Sequence, residues 1–340
     1  MGDDMRLITL ALGTFIFIAS ACDGGSGGGS DHADTLPASD TVSADQLADD
    51  TAHDNTAQPA WEFTAPAAPL SPAFLVEALP APVEGLVFDD AGRLFVSGTD
   101  SRVYGVNPDG TWSEHAALLP VDGATEDVAG MARDAAGNLY VCRYAAGRVE
   151  RITPDDPPVV EIFAEGLDHP NSMAFAPDGT LWYTASGDGA DAPGHVGRIP
   201  ANGEPQMLID DVVYANGLAF SPDGLFVWFT STDPGSLHRA PLEVDGLPGP
   251  TEIVSDHEDL AVADGLAIAP DGTVFIAGFM RGKILAWAED SLITVAEAPA
   301  PPGIAGVASL AFGRGEGFPE TTLYATNLLQ AQLIHVDLAP

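Results

Sequence analysis

Positive charge is scarce in this chain. Twelve Lys and Arg stand against fifty Asp and Glu in 340 residues, and no Lys or Arg occurs between Arg6 and Arg93. Phosphate backbones are held by patches of Lys and Arg, so this balance excludes a nucleic-acid partner. Such an acidic field favours solubility and attracts cations diffusely. Cysteine is nearly absent, with only Cys22 and Cys142, which excludes a paired-cysteine motif. Also missing are a Gly-x-Ser-x-Gly elbow, a phosphate loop and a His-Glu-x-x-His pair. Serine-hydrolase, nucleotide and zinc-peptidase readings therefore have no support.

What is present is one phrase written six times. Its clearest copy is Asn216-Gly217-Leu218-Ala219-Phe220-Ser221-Pro222-Asp223-Gly224, followed by Leu225-Phe226-Val227-Trp228-Phe229-Thr230. This reads as a polar anchor, a short apolar strand, a Pro-Asp-Gly turn and a returning strand. The other copies begin at Glu84, Ala129, Asn171, Asp264 and Ala308, so successive anchors lie 45, 42, 45, 48 and 44 residues apart. A period near 45 with strand-turn-strand chemistry predicts an all-β, six-bladed β-propeller with four-stranded blades. Helical repeats of that length would need apolar residues at helical spacing, without Gly and Pro interrupting every run.

The N-terminal segment reads as processing signal rather than fold. An apolar run over residues 7–18 is too short to span a bilayer but suits a signal peptide. Ala19-Ser20-Ala21-Cys22 resembles a bacterial lipobox, which implies cleavage after residue 21, lipidation of Cys22 and attachment to a membrane. The protein is then expected in the periplasm, on the outer membrane or at the cell surface. Residues 23–68 are mostly Gly, Ser, Ala, Thr, Pro and Asp with too little apolar surface to order, and are expected to form a disordered stalk. The propeller is expected over 69–340. Its last copy lacks a fourth strand, and residues 74–79 supply a spare one ahead of the first anchor. That N-terminal strand is expected to pair with the C-terminal segment and close the ring.

All six anchors open their blades at one rim, facing the central channel. Four of them, Glu84, Asn171, Asn216 and Asp264, carry oxygen, and Ala129 and Ala308 do not. An oxygen-only set with two carboxylates suits a hard divalent cation, Ca²⁺ before Mg²⁺. The plainer reading, in which Asn and Asp only cap turns ahead of strands, stays open at this point.

The pattern resembles the senescence marker protein/gluconolactonase/luciferin-regenerating enzyme family, which includes regucalcin, and more distantly diisopropyl fluorophosphatase. Glu84-Gly85, the phrase from Asn216 to Gly224, and Asp264-Gly265-Leu266-Ala267 carry the resemblance, which spans about residues 73–339. It implies a six-bladed propeller holding one divalent metal in its channel, Ca²⁺ foremost with Mg²⁺, Mn²⁺ or Zn²⁺ as alternatives. The implied ligands are Glu84, Asn216 and Asp264, with Asn171 at a position that contacts metal or substrate. The implied activity is hydrolysis of lactones or related esters by a monomer acting on a small molecule. Ser172 stands where many members have an acidic residue, so the proton acceptor must come from elsewhere. Asp264 and His169 are the candidates, and Arg143, Tyr144 and Arg281 the candidate substrate-binding residues. A non-catalytic propeller with a structural ion, and a lactone-opening lyase, are the alternative readings.

Overall fold

A computed structural model describes residues 61–121, 128–189, 192–201, 203–298 and 303–338. The expected signal segment, Cys22 and the stalk through residue 60 lie outside the described residues. Pro-Asp-Gly and related turns set the local structure. In blade 1, β2 (Val83–Phe88) turns through Gly92, at φ 77°, into β3 (Leu94–Gly98). Only glycine takes that conformation without strain, and Gly137, Gly179, Gly224 and Gly272 repeat it. Outer strands β4 (Arg102–Val106) and β5 (Trp112–Ala117) complete the blade.

The same meander recurs five times. Blade 2 is β6 (Val128–Arg133), β7 (Leu139–Arg143), β8 (Arg148–Ile152) and β9 (Val160–Glu165). Blade 3 is β10 (Pro170–Phe175), β11 (Leu181–Gly189), β12 (Ala192–Ile199) and β13 (Gln206–Val212). Blade 4 is β14 (Ala215–Phe220), β15 (Phe226–Ser231), β16 (Ser236–Pro241) and β17 (Glu252–Ser255). Blade 5 is β18 (Ala263–Ile268), β19 (Val274–Gly278), β20 (Lys283–Ala288) and β21 (Ser291–Glu297). Blade 6 is β22 (Val307–Phe312), β23 (Thr322–Asn327) and β24 (Gln332–Asp337), with β1 (Ala73–Val76) as its outer strand. Among the described residues the only helix is one 3-10 turn, Glu258–Leu260.

The expected N-terminal closure is therefore present, shorter than the sequence suggested. Ala73 pairs with His335 and Phe74 with Ile334, antiparallel, which covers an otherwise open sheet edge. Apolar residues fill the wedges between blades: Val76, Val83 and Leu86 meet Tyr324 and Leu333 where blade 6 adjoins blade 1. The boundary expected at 68–69 moves toward the N-terminus. Trp61 stacks edge-on against Phe312 and Phe63 against Phe275, so this segment belongs to the core between blades 5 and 6.

Candidate functional site

A bulge at the head of every inner strand builds the site. The pairing of β2 with β3 skips from Val83 to Leu86, leaving Glu84 and Gly85 unpaired. Equivalent skips leave out 129–130, 171–172, 216–217, 264–265 and 308–309. A bulge re-aims side chains, and one stands at each of the six anchors. The freed backbone groups need partners. Second-strand hydroxyls opposite the bulges supply them. Ser97 Oγ accepts from Gly85 N–H (2.9 Å) and donates to the Ala129 carbonyl of the next blade (2.8 Å). Thr184 donates to the Asn216 carbonyl, Thr230 to that of Asp264 and Thr326 to that of Glu84, the last linking blade 6 to blade 1. Inner strands approach so closely that a Cβ on Gly85 would lie 2.7 Å from the Ala129 carbonyl oxygen; on Gly217, 2.6 Å from that of Asp264.

The anchor side chains are held in turn. Asn171 Nδ2 donates to Ser186 Oγ (3.2 Å), and Ser186 donates to the Ala215 carbonyl (3.0 Å). Asn216 Nδ2 donates to Thr232 Oγ1 (3.1 Å), and the same amide hydrogen-bonds the Asp264 carboxylate. With both amide nitrogens occupied, each Asn carbonyl oxygen is the group left for the channel. Asp264 and Asn171 are buried and Glu84 and Asn216 half-buried. Burial pushes the Asp264 carboxyl up to about 7, against hydrogen bonds from Asn216 and the Gly265 N–H. Glu84 is pushed well above the usual carboxylate range by burial and by the charge of Asp264. Glu84, Asn216 and Asp264 thus come together. No cation among the described residues neutralises either carboxylate.

Above this ring lies the rim. His169, two residues ahead of anchor Asn171, sits at φ 52°. Tyr214 and Val262 take the same left-handed conformation two residues ahead of Asn216 and Asp264. A β-branched residue there is strained, and strain of this kind gathers at functional sites. His169 Nδ1 lies 3.0 Å from Asp168 Oδ1 and 3.7 Å from Asp188 Oδ1, and its ring tilts against Tyr144 at 4.8 Å. One ligand atom from each of Asp168, His169 and Asp188 fits within 4.8 Å, but both carboxylates are exposed. Tyr144 hydrogen-bonds Ser186 and feels the charges of Glu84 and Asp188; its phenol is pushed up to about 12, chiefly by burial. Tyr144 therefore bridges rim and ring.

Arg143 is a correction. The sequence suggested a cation for substrate, but the side chain is fully buried and its guanidinium serves Glu150 (2.8 Å), the Leu119 carbonyl (3.0 Å) and Ser101 Oγ (3.1 Å). Arg148 shares Glu150. A guanidinium spread over several acceptors in a buried cluster holds the fold together rather than a substrate. Arg281 is on the rim loop of blade 5, exposed, with Nε donating to the Ala261 carbonyl (3.3 Å). Sequence reasoning missed Tyr214, Ser186, Thr232 and the carboxylate pair at His169. Aligning the residues two ahead of and 15 or 16 after each anchor would have found the first three.

Comparison with known proteins agrees with this architecture. The family model described as the SMP-30/Gluconolactonase/LRE-like region matches residues 157–327, half of the chain. A curated 6-deoxy-6-sulfogluconolactonase from Pseudomonas putida is 36% identical over 78 residues, which are 23% of this chain and 25% of that protein. The chain thus matches about a quarter of the length of that curated relative. Regucalcin from Agrobacterium tumefaciens, described as a calcium-binding protein, superposes with a TM-score of 0.64 at 20% identity, over 79% of this chain and 94% of that one. A gluconolactonase from Xanthomonas campestris gives 0.63 at 20% identity, over 83% and 99%. At such identity the structural likenesses establish the fold alone.

Proposed function

This chain belongs to the SMP-30/gluconolactonase/LRE-like family, and we propose that it is a divalent-metal-dependent hydrolase of lactones or related esters, with the metal in the central ring. The observation that carries this reading is the pair of carboxylates, buried Asp264 and half-buried Glu84, brought together without a cationic side chain. Two such charges in a desolvated site are costly unless a positive ion joins them. Glu84, Asn171, Asn216 and Asp264 offer only oxygen, which favours Ca²⁺ over softer ions. Asp168, His169 and Asp188 fit a resident ion less well, because both carboxylates are exposed and the histidine already spends Nδ1 on Asp168.

When bound, the cation would supply Lewis-acid polarisation of the substrate carbonyl. The remaining work falls to the protein. With Asp168 hydrogen-bonded to Nδ1 and the Asp188 charge 3.7 Å away, the proton of His169 is kept on Nδ1 and Nε2 is left to act as the base. His169 Nε2 takes a proton from the attacking water as its oxygen bonds to the carbonyl carbon. The carbon–oxygen bond of the ring then breaks, and the same proton passes to the departing alkoxide, giving a hydroxy acid. This assigns His169 the part that an acid at position 172 would play. Tyr144 and Tyr214 exclude water around the reacting group. Export through Cys22 as a lipid-anchored monomer is part of the same proposal. Acyl labelling lost in Cys22→Ala, and the mass of the soluble domain in solution, test those two points.

A lactone panel assayed with and without Ca²⁺, on wild type and Asp264→Ala, tests the reaction. Turnover should need the ion and fall at least a hundredfold in the variant. Turnover that persists in chelator would overturn the mechanism. No turnover of any lactone, with the ion still bound, would favour a non-catalytic propeller.

A further inference from the structure

The rim is divided. Tyr144, His169, Asp188 and Tyr214 occupy the side of blades 2 to 4, whereas Phe279, Met280, Leu328 and Leu329 occupy the side of blades 5 and 6. Met280 is 47% exposed and Leu329 42%, on a chain with fifty acidic residues. Two loops from different blades hold this lip together through one segment. Met280 N–H donates to the Ala305 carbonyl (2.6 Å) and Leu328 N–H to the Gly306 carbonyl (2.7 Å). Gly306 leads directly into β22, so the lip adjoins the mouth of the ring. Met280 is held at φ 57° to reach it. Exposed apolar residues gathered beside a candidate site mark where something apolar lies.

The nearby cations are committed. Arg102 pairs with Asp100 and Glu114, Arg143 and Arg148 with Glu150, and Lys283 with Asp259. Arg281 donates to a backbone carbonyl. A carboxylate, phosphate or sulfonate on the substrate would meet Asp168, Asp188 and the acidic field, and Arg281, the exposed cation beside Met280, is already drawn to the Ala261 carbonyl and the charge of Asp259. We propose that this propeller takes uncharged lactones or esters bearing an unbranched alkyl arm, which lies along Met280 and Leu329, and that it rejects anionic lactones. This rests on the ring being a lactone-hydrolysing centre.

The test uses γ-lactones with alkyl arms of two to eight carbons and a carboxylate-bearing γ-lactone of matched size. A lip that half-buries the arm should raise kcat/KM about twofold per methylene, on the order of fiftyfold across the series. The carboxylated lactone should fall below its neutral match. Met280→Ser/Leu329→Ser should raise KM for the eight-carbon arm about tenfold with kcat little changed. Ile253→Ser, an exposed apolar position on the outer strand β17, should change nothing. A flat series, equal turnover of the carboxylated lactone, or an unchanged KM in the double variant would overturn the proposal. A γ-lactam with the eight-carbon arm, titrated calorimetrically into metal-stripped protein, separates this from failure of the hydrolase reading. Lactam binding weakened by the double variant, with no lactone hydrolysed, would leave the lip standing and remove the hydrolase. Hydrolysis without lactam binding would do the reverse.

Discussion

Replacing Asp264 with Asn should stabilise the metal-free propeller at neutral pH and above, even though it alters the centre of the site. The Asp264 side chain is buried and its carboxyl is pushed up to about 7, whereas the unperturbed value is 3.8. Between those values the folded protein keeps a proton that the unfolded chain releases, so stability falls as pH rises, by about 1.4 kcal/mol per unit. A shift of about three units amounts to a penalty of about 4 kcal/mol, absent below about pH 4 and complete above about pH 7. Glu84, raised by burial and by Asp264, adds a penalty of the same sign. The net charge of −38 also weakens folding over this range, so the informative quantity is the difference between variant and wild type at each pH. Asn also loses one acceptor facing the Gly265 N–H, which trims the gain. Denaturant titrations in chelator should show Asp264→Asn within about 1 kcal/mol of wild type near pH 4.5 and more stable by about 2–4 kcal/mol near pH 8. Calcium should narrow or close the gap. At a hundred times its Kd it adds about 2.7 kcal/mol to wild type and little to the variant. A difference that stays flat with pH in chelator, or a variant less stable at pH 8, would refute the claim of an unneutralised buried pair.

Three further outcomes follow from named contacts. His169→Gln should lower kcat by about 10²–10⁴ while leaving calcium affinity near wild type and the thermal midpoint only slightly lower, because the half-buried ring gives up one contact, with Tyr144. Arg143→Met should leave Glu150 buried beside Arg148 alone and cost about 3–5 kcal/mol in denaturant titration. A change in KM without that loss would return Arg143 to the substrate. Phe63→Ala should cost about 3 kcal/mol, since the ring packs edge-on to Phe275 in the core between blades 5 and 6. A neutral result would place residue 63 in the stalk after all.

The wheel was readable because its spokes are local. Each anchor, strand and Pro-Asp-Gly turn lies within about fifteen residues, and the missing last strand announced the closing role of β1. The four oxygen anchors were readable as equivalent positions. Why they converge was not. Residues 215–220 look like one unbroken strand, and the skip at 216–217 is a property of its pairing with β15. That skip is stabilised by hydroxyls such as Thr230 and Thr184, which reach into the neighbouring blade. Arg143 misled because rarity of charge suggested a binding role. Its partner was visible seven residues on, since a tight β7–β8 hairpin brings Glu150 near it. Trp61 and Phe63 were the overlooked signal in the stalk, two large aromatics within three residues of otherwise sparse sequence.

The two bulges that lack an opposing hydroxyl show how ring closure and site chemistry share the same atoms. Cys142 stands opposite 129–130 and Ala277 opposite 264–265, where the other blades have Ser or Thr. In blade 5 the Gly265 N–H instead serves the Asp264 carboxylate, one of the interactions that hold its pKa down. A hydroxyl at 277 would compete for that donor. Ala277→Ser should link Gly265 N–H to the Ala308 carbonyl, adding about 1 kcal/mol to stability. The same bond would withdraw a donor from Asp264, raise its carboxyl further and let protons compete better with the cation. Calcium affinity near pH 6.5 should then weaken by about threefold, for a shift of about half a unit. Cys142→Ser makes the matching change beside Ala129, an anchor with no carboxylate of its own although the thiol feels the charge of Glu84, and should weaken calcium affinity less. Equal effects of the two variants on calcium would mean that the bulge donors serve the ring alone, and that Asp264 draws nothing from the backbone beside it.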